Sequence, residues 1–248
     1  MTWIGLVLTG GAIVVYLGML GVHRFTYRSW IFHIPVGIGV LLSFVGLTVG
    51  GPTWPAVLTW VLAAFWVWLM TYEMGVRGSE EQLRVGETIP PFEVVTTTGA
   101  SFTDKDLAEN APALLQLYRV WWCPTSNLQL QEILDIHEQL DELGVTTFAA
   151  SVDSPEEAAP LQEKLGSAIT LLCNVENTML DALGVEDRRG AAWYSRLTPG
   201  VKKRPIAMPS AIAIDPTGRI VHSFRTDRVD ERAKPDEIVS AIANHAYS

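Results

Sequence analysis

The sequence predicts an α/β domain, a central mixed sheet with helices on both faces, behind an N-terminal all-α transmembrane segment of three helices. Three observations predict it. The apolar residues are concentrated in the first 75 positions, as Trp3–Val22, Trp30–Gly50 and Trp54–Gly75. Beyond them, short apolar runs alternate with amphipathic stretches, the pattern of strands and helices in turn. Between the first of those runs and its helix stands Cys123-Pro124, a turn that puts a thiol at a helix start.

Each apolar span is about 20 residues, enough to cross a hydrocarbon core of ~30 Å. Met1-Thr2 carries no basic n-region and no A-x-A site follows, so the first span reads as a permanent anchor. Trp3, Trp30, Trp54 and Tyr72 lie near span ends, as interfacial aromatics do. Arg24 and Arg28 fall in the first loop, Arg77 and Arg84 after the third span, and no Lys or Arg in Gly50–Thr53. That asymmetry predicts a multi-pass protein of the cell inner membrane, N-terminus outside and C-terminal domain cytoplasmic. His23 and His33 border the first loop and read as interfacial polar residues rather than haem ligands. Gly39-x-x-x-Ser43 and Gly46-x-x-x-Gly50 permit close helix packing, within the anchor or with a partner subunit.

The chain has 248 residues and a net charge of −9, so length allows one or two domains and the acidic balance argues against a nucleic-acid partner. Residues 1–75 read as the anchor, 76–87 as a polar linker and 88–248 as the soluble domain. Only Cys123 and Cys173 are cysteines, which is no disulfide scaffold. C-x-x-C and metal-ligand spacings are absent from the sequence, so no metal and no cofactor is expected.

A hairpin is expected around Thr98-Gly99-Ala100 and a short helix over Asp104–Asn110. Ala113–Val120 reads as a buried strand. Pro124 suits the first helical position, which makes Cys123 the N-cap. The helix then places Ile133, Ile136, Leu140 and Leu143 on one face, and Gly144 caps it. A thiolate at Cys123 would meet the amides of Thr125 and Ser126 and the positive end of the helix dipole. Val145–Val152 and Ile169–Cys173 read as further strands, with Ser154-Pro155-Glu156-Glu157 as a capped helix start between them. Glu186–Arg204 reads as a loop. Its Arg188, Arg189, Arg196, Lys202, Lys203 and Arg204 form a solvated surface, or else lie on anionic headgroups or steer an anionic substrate. Asp215-Pro216-Thr217-Gly218 is a type I turn signal before a returning strand, and Lys234–Ala243 a closing helix with Pro235 at its first position.

The strand–WCPxx–helix segment YRVWWCPTSNLQLQEI resembles the active-site turn of the thioredoxin superfamily, in its peroxiredoxin-like redoxin form. Val85, Gly86, Pro91 and Phe92, the Ser151–Ser154 segment SVDS, and Met208–Asp215 resemble the same family. The resemblance implies a thioredoxin-like fold from about Leu83 onward. It also implies a cis Pro209 facing Cys123, with the Met208 backbone free to pair with an extended substrate. It departs at Val120, where the pattern has Gly, and at Ser126, where a second cysteine would stand.

Cys123 is therefore the expected nucleophile. Ser126 would hydrogen-bond its sulfur, Thr125 and Arg119 would polarise a peroxide, and Trp122, Met208 and Pro209 would meet substrate. Without a second cysteine the cycle is monothiol and needs a small thiol or a protein thiol as donor. Cys173 reads as a buried, inert thiol rather than a resolving partner. Two functions stay open. One is a membrane-anchored redoxin working in thiol–disulfide exchange or peroxide reduction. The other is a non-catalytic accessory subunit of a larger membrane protein complex, carrying a degenerate redoxin domain.

Overall fold

The structure, a computed structural model, describes residues 1–22, 29–75, 83–175, 177–190, 205–226, 228 and 233–246. His23, Arg24, Arg28 and Arg77 lie outside the described residues, as do Arg196, Lys202, Lys203 and Arg204. The chain divides into two compact units, Met1–Gly75 and Val76–Ser248.

The first unit holds α1 (Thr2–Gly21), α2 (His33–Thr48) and α3 (Thr53–Trp68), the last running on into a π-helical turn, Leu69–Glu73. Among the described residues, three segments are long and apolar enough to cross a membrane: Thr2–Leu20, Ser29–Thr48 and Thr53–Glu73. Small residues bring α1 and α2 together. A β-carbon at Gly5 would run into the Gly39 carbonyl, and one at Gly39 into Thr9 Oγ1. Gly46 meets Thr2 in the same way, at 2.7 Å from its backbone nitrogen. Gly39, Ser43 and Gly46 thus serve packing inside the bundle, while Gly50 takes φ +80° at the helix end with open space around it. Trp60 Nε1 donates to Ser43 Oγ at 2.9 Å, and Trp66 Nε1 to His33 Nδ1 at 3.0 Å.

Among the described residues, the second unit is built on a seven-stranded sheet whose strands lie in the order Ser101–Thr103, Glu93–Thr96, Thr170–Cys173, Thr146–Ala150, Ala113–Leu117, Ser210–Ile214 and Ile220–Arg225. The hairpin β1 (Glu93–Thr96) and β2 (Ser101–Thr103) turns at Gly99, whose φ of +83° suits glycine. Next come α4 (Asp104–Glu109) with a Thr103–Asp106 capping box, and β3 (Ala113–Leu117). Then α5 (Pro124–Asp135), α6 (His137–Glu142) and β4 (Thr146–Ala150) follow. One continuous helix was expected from Pro124 to Leu143. The chain instead breaks at Ile136, at φ −103° and ψ 8°, which still leaves Ile136 and Leu140 in the core. Gly144, at φ +70°, ends α6 with the Gly144 amide on Asp141 and the Val145 amide on Leu140, a Schellman cap.

The Ser154–Glu157 capping box opens α7 (Pro155–Leu165), and β5 (Thr170–Cys173) lies parallel to β4, as β4 does to β3. The chain goes on through α8 (Asn177–Ala182) and the small pair β6 (Glu186–Asp187) and β7 (Ile206–Ala207). It ends with β8 (Ser210–Ile214), β9 (Ile220–Arg225) and α9 (Pro235–Ala246). Strand residues alternate between two cores. Leu115, Leu117, Phe148, Ala150 and Leu172 face one, with α4 and α8. Leu114, Ala149, Leu171 and Cys173 face the other, with α5, α6, α7 and α9.

The tight α1–α2 contact makes a prediction. Gly39→Leu forces the two helices apart and should cost about 1–3 kcal/mol, as overpacking does. Gly37→Leu, where a side chain meets nothing within 4 Å, should leave stability unchanged. Thermal unfolding of the full chain in detergent compares the two.

Candidate active site

The site lies where β3 gives way to α5. The Cys123 amide donates to the Val120 carbonyl at 3.1 Å, closing a tight turn over Trp121 and Trp122. Cys123 then caps α5 with extended backbone, φ −75° and ψ 118°, and Pro124 sits at the first helical position. The proline has no N–H to leave unsatisfied there.

The sulfur is nearly enclosed, with the residue 7% exposed, and Cys123 is a free thiol. Its sulfur makes no capping hydrogen bond with the first-turn amides. It pairs instead with the Thr125 hydroxyl, Sγ to Oγ1 at 3.0 Å. Ser126 does not touch the sulfur, contrary to expectation. Its Oγ accepts the Arg119 amide at 3.1 Å, which fastens the strand exit to the helix start.

Arg119 has a partner that the sequence did not point to. Its guanidinium donates to Asp187 Oδ2 at 2.9 Å, in an ion pair with both side chains buried. A buried guanidinium must be paired, and Asp187 of β6 meets that need. Pro209 differs as well. The one cis peptide among the described residues is Ala111–Pro112, so the Met208–Pro209 bond is trans. Met208 is fully buried and its amide is spent on the Val185 carbonyl at 2.7 Å. Its carbonyl accepts from Ser210 Oγ at 3.0 Å. An extended substrate therefore finds no free Met208 amide there. Trp122 is half-buried against the core that holds Cys123, while Trp121 is 40% exposed.

Two residues that the sequence reading passed over hold the turn. Asn127 Nδ2 donates to the Trp121 carbonyl at 2.8 Å and to that of Cys123 at 3.2 Å. Asp153 Oδ2 accepts the Trp121 amide at 2.8 Å and the Ser151 hydroxyl at 2.9 Å. The SVDS resemblance drew attention to that segment but assigned it no contact.

Cys173 is fully buried and belongs to the core on the opposite face of the sheet from Cys123. Burial pushes its thiol up to about 12, with the Asp153 and Glu156 charges adding to the shift. Burial, then the Asp153 charge, likewise raises the Tyr118 phenol well above its ordinary value. Among the described residues no group of three or more His, Cys, Asp or Glu side chains is placed to hold a metal ion.

Residues 85–223 match the AhpC/TSA family. The chain belongs to the AhpC/TSA family. Solved structures of similar fold include peroxidoxin BcpB from Mycobacterium tuberculosis, 17% identical, with a TM-score of 0.52, covering 66% of this chain and 98% of that one. Peroxiredoxin 5 from Alvinella pompejana is 19% identical, with a TM-score of 0.53, covering 66% and 99%. A Cys-to-Ser mutant of PrxQ from Xylella fastidiosa is also 19% identical at 0.53, covering 67% and 99%. No curated protein matches the chain. This redoxin family membership supports a thiol peroxidase or other thiol redox function.

The buried Cys173 predicts an alkaline limit. A thiol raised from an ordinary value near 9 to about 12 keeps its proton in the fold and loses it sooner when unfolded. Its contribution is thus fully present below about pH 9 and is lost as pH rises toward 12. Denaturant unfolding at pH 8 and pH 10.5 should show the loss in the wild type, on the order of 1–2 kcal/mol. Cys173→Ala should lose correspondingly less.

Proposed function

We propose that the chain is a membrane-tethered monothiol redoxin that reduces peroxides through Cys123. The observation that carries this is the sulfur at the head of α5 within 3.0 Å of the Thr125 hydroxyl. The Cys123 thiolate attacks one peroxide oxygen. The S–O bond forms, the O–O bond breaks, and the leaving alkoxide or hydroxide takes up a proton. Cys123 becomes a sulfenic acid. The Thr125 hydroxyl, already on the sulfur, is placed to donate to the peroxide as charge builds on the leaving oxygen.

The cycle then needs reductant from outside the chain. One external thiol condenses with the sulfenic acid, releasing water and leaving a mixed disulfide. A second thiol attacks that disulfide and frees Cys123. Ser126 cannot supply a sulfur, and the sheet stands between Cys173 and Cys123. The same monothiol would serve thiol–disulfide exchange. The three apolar helices support tethering to a bilayer, and the arginines at 24, 28, 77 and 84 support a cytoplasmic redoxin unit.

A second reading, a non-catalytic subunit of a membrane protein complex, has a specific observation in its favour. Arg119 Nη1 is held by Asp187, a structural use for this arginine that needs no peroxide.

Peroxide consumption by the purified full chain, with a small thiol in excess, separates the two. Cys123→Ser should abolish turnover, and Thr125→Val should slow it about 10- to 100-fold. Cys173→Ala should turn over at the wild-type rate. A wild type no faster than Cys123→Ser sinks the peroxidase reading and leaves the subunit reading standing.

A further inference from the structure

Asp153 has a part in the site that neither its sequence nor its family match assigns. It follows β4, and it is a fully buried carboxylate. A buried carboxylate costs free energy unless hydrogen bonds replace its water. Here one oxygen, Oδ2, takes both the Trp121 amide and the Ser151 hydroxyl. The Asp153 amide donates to Ser151 Oγ at 3.1 Å, and the Asp153 carbonyl accepts the Asn174 amide at 2.8 Å. The Ser151 carbonyl accepts the Val175 amide at 3.0 Å. The carboxylate is therefore anchored to the chain leaving β4 and to the chain leaving β5, two adjacent parallel strands.

Its reach across to Trp121 matters because of where Trp121 stands. Trp121 is the second residue of the Val120–Cys123 turn, so its amide points out of that turn and needs an acceptor. Arg119 has Ser126 for its amide and Cys123 has Val120. Trp121 has Asp153, through a charge-assisted hydrogen bond.

We infer that Asp153 is a positioning residue: its carboxylate clamps the Trp121 amide, and so fixes the turn that sets the Cys123 sulfur against Thr125. The inference rests on Cys123 being the reacting thiol. In this role Asp153 acts through the backbone of the turn.

The test uses the full chain with Asp153→Ala and Asp153→Asn. The Asn carbonyl oxygen has two lone pairs and can take both hydrogen bonds without the charge. Two quantities are read: hydrogen exchange over residues 118–123, and the rate of Cys123 sulfenylation by peroxide per folded molecule. The Ala variant should exchange faster at the Trp121 amide and be sulfenylated on the order of 10-fold more slowly, since small displacements of reacting atoms are costly. The Asn variant should recover to within about threefold of wild type in both. An Ala variant with unchanged sulfenylation overturns the inference, and so does an Asn variant as impaired as Ala. A wild type inert to peroxide sinks the proposed function instead. The Trp121 exchange and the Cys123 alkylation rate then decide the role of Asp153: unchanged values in Ala overturn it, and changes that Asn reverses uphold it.

Discussion

Between Leu117 and Pro124 the chain passes from a buried strand to a helix, and every backbone amide on the way has to find an acceptor. Arg119 finds Ser126, Trp121 finds Asp153 and Cys123 finds Val120. Tyr118 finds the Ala150 carbonyl on the neighbouring strand. The position of the sulfur follows from these bonds. Parallel pairing of β3 with β4 brings Ser151 and Asp153 alongside the turn, because both strands end at the same level. Pairing on the other side with β8 sets Ser210 against Leu117, and Gln116 Nε2 donates to the Ser210 carbonyl at 2.5 Å. The site is thus supported from both neighbours of the central strand.

Legibility in the sequence followed the range of the interaction. Local chemistry was readable. Pro124 marks a helix start, Ser154 with Glu157 a capping box, Gly144 a helix end, and Asp215 to Gly218 a turn closed by the Gly218 amide on Asp215. Apolar alternation gave the strands and hence the sheet. Pairings across the chain were not readable. Arg119 and Asp187 are 68 residues apart, and no local pattern says which acidic residue will neutralise a buried guanidinium. The same limit applies to Ser126. Standing in the place of a second cysteine, Ser126 was expected to hydrogen-bond the sulfur. Its hydroxyl instead answers the nearest unmet amide, that of Arg119. Met208 shows how resemblance can mislead, because the Val185 carbonyl beside it takes the amide a substrate would need.

The helical unit obeys a different rule from the redoxin unit. In the sheet, large side chains such as Leu114, Leu115 and Tyr118 are buried. In the three helices Val7, Val14, Leu41, Phe44 and Val61 are exposed, while Thr2, Thr9, Ser43 and Thr59 are buried. Exposed apolar surface on that scale marks contact with a membrane or with another protein. Hydrocarbon tolerates it, because lipid tails are as apolar as leucine and helix contacts there favour small residues and buried hydroxyls. The Gly39 and Gly46 contacts are consumed between α1 and α2. Gly39, Ser43 and Gly46 are thus accounted for within the bundle.

The sheet itself decides how a cysteine at the head of α5 can be used. Side chains alternate in direction along a strand, so neighbours in sequence face opposite cores. Leu172 packs on the Cys123 side and Cys173, one residue on, packs on the other. A disulfide needs α-carbons within about 7 Å and sulfurs facing one another. With the two side chains in cores on opposite faces of the sheet, the sulfurs do not face one another. Reversing the face of Cys173 would require a one-residue slip of β5 against β4 and β1, and that slip would turn Leu171 and Leu172 the wrong way as well. The register that builds the two cores is thus the same register that keeps the second thiol away. Any oxidised form of Cys123 must be resolved by a sulfur that this fold does not contain.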